Sequence, residues 1–141
     1  MKNYLIVILT LICTTAKAQQ QTLNEKWGNV MLAIEQVESR GKSNLVSRDG
    51  RFVGCLQMSE ICVRQCNQIL GYKKYSSKDR YNRAKSHEMF IVFQEYFNPK
   101  GDVEFAIRLW NSGDIRCMER KAKTERYYQS VSAKMTQMAK N

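Results

Sequence analysis

The sequence predicts a small, mostly α-helical globular domain, and three observations predict it. Apolar residues recur at helical spacing through most of the chain, and no stretch alternates long enough to read as a strand. Beyond an N-terminal export signal, about 120 residues remain, enough for one hydrophobic core but not for two.

The first helix has a start signal at Thr22-Leu23-Asn24-Glu25, a Thr-x-x-Glu capping box. Trp27, Val30, Met31, Ile34 and Val37 form its apolar stripe, and Gly41 supplies a left-handed cap. The Gly/Ser/Asn/Asp-rich stretch from Gly41 to Gly54 reads as an irregular loop or short hairpin. Ser59 caps a second helix from about Glu60 to Leu70, which Gly71 stops. Tyr72 to Lys78 is polar loop. Ser77 is the expected cap of a long segment running to Asn98-Pro99, with Phe90, Phe93, Tyr96 and Phe97 buried. Asp102 caps a shorter helix carrying Val103, Ala106, Ile107 and Trp110, with Gly113 beyond it. The last helix is expected from about Lys121 to Met138, with Tyr128, Val131, Met135 and Met138 on one side.

Lys2, the apolar run from Tyr4 to Cys13 and Ala16-Lys17-Ala18 make a charged n-region, an h-region too short to span a bilayer, and a small-x-small cleavage site. The expected organisation is a signal peptide over residues 1–18 and one domain over 19–141. The product is then periplasmic or secreted and has no stable membrane insertion after cleavage. Without Lys2 and Lys17 the formal charge of +10 falls to +8. A basic exported protein suits acidic glycan-peptide polymers or anionic lipid headgroups, while export argues against nucleic acid as a partner. Lysines and arginines are scattered without a run of five or six, so a solvated basic surface accounts for them equally well.

Cys55, Cys62, Cys66 and Cys117 remain after processing. An even number in an oxidising compartment permits two disulfides, in any of three connectivities. Cys62 and Cys66 share a helix face and can each reach toward Cys117 or Cys55. Zinc is disfavoured, because only His87 adds a nitrogen ligand and no paired C-x-x-C knuckle exists. One disulfide or free buried thiols is the expectation, with no metal.

Glu38 lies eleven residues after Trp27 and seven after Met31, on the apolar stripe of its own helix. It also occupies the last turn, where the helix dipole is negative. Both effects disfavour ionisation and predict a raised pKa. A carboxyl kept protonated near neutral pH is what glycoside cleavage needs in order to protonate the leaving oxygen. Periodicity alone is equally satisfied by a carboxylate that marks where the stripe ends. Glu35, at the stripe's edge, is expected to face solvent.

Three motifs in order extend this reading. Glu38-Ser39-x-Gly41, Gly54-Cys55-Leu56-Gln57 and Leu109-Trp110-Asn111-Ser112-Gly113 resemble the Glu-Ser, Gly-Leu-Met-Gln and Ala-Tyr-Asn motifs of the lytic transglycosylases. Thr124-Glu125-Arg126-Tyr127-Tyr128 resembles that family's closing tyrosine motif. The resemblance spans about Trp27 to Val131 and implies the goose-type lysozyme-like fold. It implies cleavage of the bond between N-acetylmuramic acid and N-acetylglucosamine in peptidoglycan, leaving 1,6-anhydromuramyl ends, with no cofactor. Glu38 would be the acid and later the base, and Ser39 would support the carboxyl or the bend after it. Gln57 and Asn111 would hold sugar groups, and Tyr127 would orient the acid or the sugar, with Tyr128 as the alternative one residue on. Peptidoglycan strands are the implied partner, and in the family small exported enzymes also serve a secretion or conjugation apparatus.

The chain departs from the pattern at Cys55, Leu56 and Trp110, which stand where leucine, methionine and tyrosine are usual. The loop between Glu38 and Gly54 is also slightly longer than the family's. A hydrolytic lysozyme would need a second carboxylate about 5–9 Å from the first. Asp49 is the nearest acidic candidate and Asp114 a distant second. A noncatalytic wall-binding subunit is the remaining alternative.

Overall fold

Residues 25–140 are described by a computed structural model. The expected signal peptide and the expected capping box at Thr22 lie outside the described residues. Helix α1 covers residues 25–38, strand β1 Phe52–Val53 and strand β2 Met58–Ser59. Then follow α2 (Glu60–Leu70), a 3-10 turn (Ser77–Tyr81), α3 (Arg83–Phe97), α4 (Val103–Ser112), a second 3-10 stretch (Cys117–Lys123) and α5 (Glu125–Met138). The molecule is a mostly helical small globular domain.

Local chemistry sets the helix ends where short polar residues and glycines predict them. Ser59 accepts the Cys62 N–H to start α2, and Gly71 ends it at φ 76°. Asp102 accepts the Phe105 N–H to start α4, and Gly113 ends it at φ 64°. The segment expected to begin at Ser77 is instead two elements. Ser76 and Asp79 form a reciprocal capping box over the 3-10 turn, and Asn82 then caps α3 by accepting the Lys85 N–H. The restart moves the buried face of α3 onto Ser86, Met89, Phe90, Phe93 and Gln94. Tyr96 is left 62% exposed, not buried as its spacing suggests. The last helix likewise starts at Glu125 rather than Lys121, after the 3-10 stretch.

Two apolar clusters fill the interior. One packs Trp27, Val30, Met31 and Ile34 of α1 against Leu56, Phe90, Ile107 and Val131. The other gathers Met58, Val63, Cys66, Tyr75, Met89 and Leu109. Trp110 packs against both, with its ring 4.9 Å from Phe90 and 6.1 Å from Phe93. Each large side chain withdrawn from water in this way contributes about 1.5–3 kcal/mol. The four cysteines among the described residues are free thiols, and Cys66 donates to the Met89 carbonyl at 3.4 Å.

The loop after α1 forms a small hairpin. β1 and β2 pair antiparallel, Phe52 opposite Ser59, and Val46 bridges to Val53. The turn between the strands is forced tight by Gly54, at φ 83°, which lies against the Arg80 backbone. The Arg80 side chain then ties the hairpin down, donating to the carbonyls of Arg51 and Met58 at 3.4 and 3.3 Å.

Candidate active site

α1 ends after Glu38, where Arg40 and Gly41 both turn left-handed (φ 56° and 77°). This leaves the Glu38 carboxyl half-buried at the base of an open cleft of about 760 Å³. The hairpin and the start of α2 form one wall, with Phe52, Gln57 and Ile61 along it. The end of α4 forms the other, through Trp110, Asn111 and Gly113. Glu38, Gln57 and Asn111 therefore line one cavity. Phe52 and Ile61 on its wall are well exposed.

Burial pushes the Glu38 pKa up, and a hydrogen bond from Tyr127 offsets part of that rise. The Tyr127 hydroxyl donates to Glu38 Oε1 at 2.7 Å, a contact that bridges 89 residues of sequence. Burial and the neighbouring Glu38 carboxyl raise Tyr127's own pKa, so it stays a donor. With Oε1 engaged, Oε2 is the oxygen left to carry and transfer a proton.

Tyr127 arrives there because α5 is pinned by a buried arginine. Arg108 on α4, 2% exposed, bonds Glu104, Glu125, the Thr124 hydroxyl and the Lys121 carbonyl at 2.6–2.9 Å. Its guanidinium lies 4.4 Å over the Tyr128 ring. Of the two adjacent tyrosines, Tyr127 meets the acid and Tyr128 packs on Arg108. Replacing Tyr127 with Phe removes the bond that favours the carboxylate. We therefore expect the Glu38 pKa to rise further and the alkaline limb of any activity profile to move to higher pH, with a loss of about tenfold in rate. An unmoved limb in Tyr127→Phe would disprove the contact.

Gln57 sits at φ 47°, an uncommon left-handed conformation for a residue with a side chain. Its side-chain nitrogen folds back onto the carbonyls of Gly54 and Leu45, at 2.9 and 3.3 Å. The nitrogen is thus spent on holding the turn, and the amide oxygen is left as an acceptor for a ligand N–H or O–H. Ser39, grouped with the residues expected to serve the substrate site, does not line the cleft, and of its two expected roles its contacts fit support of the bend after α1. It is 3% exposed, and its hydroxyl donates to the Cys55 carbonyl at 2.7 Å, fastening the bend after α1 to the hairpin turn. Trp110 uses its indole N–H on the Leu56 carbonyl at 3.2 Å, so it braces the opposite wall to that turn.

Glu35 corrects the sequence reading. It is completely buried, because Trp27, Met31 and Glu35 follow one another at four-residue steps down one face of α1. Arg83 of α3 donates Nε and Nη2 to its two oxygens at 2.9 and 2.5 Å, and His87 Nε2 lies 2.6 Å from Oε1. Burial alone would raise the Glu35 pKa, but bonds from Arg83, His87 and the Cys55 thiol outweigh it and hold the group below its ordinary value. The signal in the sequence is the four-residue spacing of Arg83 and His87, a matched pair of donors on one helix face.

Glu35, Cys55 and His87 bring potential ligand atoms within 4.8 Å of one another. Arg83, however, already neutralises both carboxylate oxygens. Burial and the adjacent Glu35 carboxylate also push the Cys55 thiol up to about 12, far from the thiolate a metal requires. The cluster is a hydrogen-bonded ion-pair network.

Comparison with family models, curated proteins and solved structures finds no match. The site must be read from its own chemistry.

Asp49 also lines the cleft. Bonds from the Ser47 hydroxyl and from Arg51 pull its pKa down to about 2, so it is ionised at neutral pH. Asp114 pairs instead with Arg116 and Arg120. Among the described residues no helix is long and apolar enough to cross a membrane.

Proposed function

We propose that this chain is an exported peptidoglycan lytic transglycosylase with a goose-type lysozyme-like fold and Glu38 as its acid and base. The observation that carries the reading is a single half-buried carboxyl with a raised pKa, held by Tyr127 at the base of a cleft that Gln57 and Asn111 also line. Burial keeps the proton on Glu38 at pH values where a solvated glutamate has lost it.

In the proposed reaction Glu38 Oε2 gives its proton to the oxygen linking muramic acid to the next sugar. That carbon–oxygen bond breaks, and positive charge develops at C1 of the muramyl ring. The hydroxyl at C6 of the same ring then bonds to C1 and returns its proton to Glu38, closing the 1,6-anhydro ring. The Tyr127 hydroxyl stabilises the carboxylate between the two transfers. No metal or organic cofactor takes part. The exposed Phe52 and Ile61 offer apolar contact to sugar faces, and the excess of basic residues suits an acidic glycan-peptide polymer. Action on behalf of a secretion or conjugation apparatus is compatible with so small a chain.

One observation favours hydrolysis as a second reading: Asp49, an ionised carboxylate, lines the same cleft, and a hydrolase needs a second carboxylate there. Mass spectrometry of digested cell-wall sacculi separates the two. Anhydro ends are expected, whereas reducing ends would transfer the assignment to a lysozyme. A sacculus left intact would make the chain a binding subunit. Asp49→Asn should leave the yield of anhydro ends within about twofold, while a hydrolase relying on that carboxylate as base would lose roughly 10²-fold or more.

A further inference from the structure

Glu35 stands one turn before Glu38 on α1, and the proposed reaction makes no use of it. Both ends of this residue are nonetheless occupied. Its carboxylate takes Arg83 and His87 from α3 and lies within 4.8 Å of the Cys55 thiol on the hairpin turn. Its backbone carbonyl receives the N–H groups of Ser39 and Gly41, at 2.9 and 3.2 Å. The Ser39 hydroxyl in turn bonds the Cys55 carbonyl at 2.7 Å. Glu35, Ser39 and Cys55 therefore close a ring. It encloses the last turn of α1, which carries Glu38, and the start of the turn that carries Gln57.

We infer that Glu35 is a positioning residue for the proposed acid. Through this ring it sets how deeply the end of α1 seats against the hairpin turn, and so how far Glu38 is withdrawn from water beside Tyr127. The inference rests on the reading of Glu38 as the acid. A structural ion pair alone would not require the carboxylate to reach Cys55 as well as α3. Nor would it require the helix end and the hairpin turn to share a hydroxyl. A carboxylate with no solvent exposure is costly to bury and is tolerated only when its partners are exact in place. Here each partner comes from an element bordering the Glu38 turn: Arg83 and His87 from α3, Cys55 from the hairpin.

The test follows Glu38 itself, by carbon-13 NMR titration of its carboxyl in the full mature chain. The Glu38→Gln variant assigns the resonance. Arg83→Gln is the informative substitution, because its two possible effects have opposite signs. Deleting a positive charge through space alone raises the Glu38 pKa. Loosening the ring admits water and lowers it toward the ordinary carboxyl value. The expected result is a fall, accompanied by a loss of about tenfold in kcat and a KM within about twofold. Arg83→Lys, which keeps the charge and one donor, should recover part of both.

A Glu38 titration unchanged or raised in folded Arg83→Gln overturns the inference. If that variant fails to fold, His87→Gln serves in its place, since it leaves the ion pair intact; the same fall is expected, and the same unchanged titration refutes it. The titration does not depend on turnover. If the wild-type chain cleaves no glycan yet the predicted fall is seen, the positioning role stands and the reaction is what fails.

Discussion

Replacing Glu38 with Gln should lower glycan cleavage by roughly 10²–10⁴-fold while leaving the fold intact. The amide keeps the shape of the carboxyl and can still accept from the Tyr127 hydroxyl, which sits 2.7 Å from Oε1. What it lacks is a proton to give. The same substitution should change stability in a direction that depends on pH. Burial raises the folded-state pKa of Glu38, so its favourable contribution is complete below the ordinary carboxyl value, about 4.3. That contribution is lost as pH climbs through the raised one. A side-chain amide does not titrate and carries no such dependence. The melting temperature of Glu38→Gln should therefore match or exceed that of wild type at neutral pH, and the difference should close on acidification. A variant that melts lower at pH 7 and still releases muropeptides would remove Glu38 from both roles.

Gly54→Ala should be the most damaging small substitution in the chain. A methyl group there would collide with the Arg80 carbonyl oxygen and lie 3.0 Å from its carbon, both rigid backbone. The φ of 83° adds the strain of a left-handed residue. Relief requires the Arg80 segment to retreat, which would pull its guanidinium off the Arg51 and Met58 carbonyls that fix the hairpin. A loss above about 4 kcal/mol is expected, the range reserved for a named structural conflict. Gly50→Ala provides the control. It has a similar φ of 74° but nothing within 4 Å of the new atom, so it should cost only about 1 kcal/mol. Equal denaturant midpoints for the two variants would mean that the close approach at Gly54 is not present in solution.

Much of the fold is legible in its punctuation. Ser59 with Gly71, and Asp102 with Gly113, mark α2 and α4 to the residue, because short polar side chains and left-handed glycines act locally. The break before α3 is harder to see. Ser76, Ser77 and Asn82 all offer caps, and only the return bond from Asp79 selects Ser76. The consequence reaches Tyr96, since the buried face of α3 includes Ser86 and Gln94, polar residues that do not announce burial.

The candidate site divides in the same way. Glu38 stands out by helical spacing, while Gln57, Asn111 and Tyr127 come from motif resemblance, and these four meet at or beside one cleft. Glu35 escapes a sequence reading because a carboxylate is ordinarily solvated, and its neutralising Arg83 lies 48 residues away. The four-residue spacing of Arg83 and His87 marks a pair of donors but not the carboxylate they meet. The role of Ser39 is legible only as a choice between two, which its bond to Cys55 decides.

The chain contains two tryptophans, and the structure gives them separate duties. Trp27 is sealed in the interior with no solvent contact, whereas Trp110 lines the cleft. Intrinsic fluorescence therefore reports occupancy through one chromophore against a constant background. An oligosaccharide bound between the walls should shift the emission of Trp110 alone, so affinity can be measured on an inactive variant without any label.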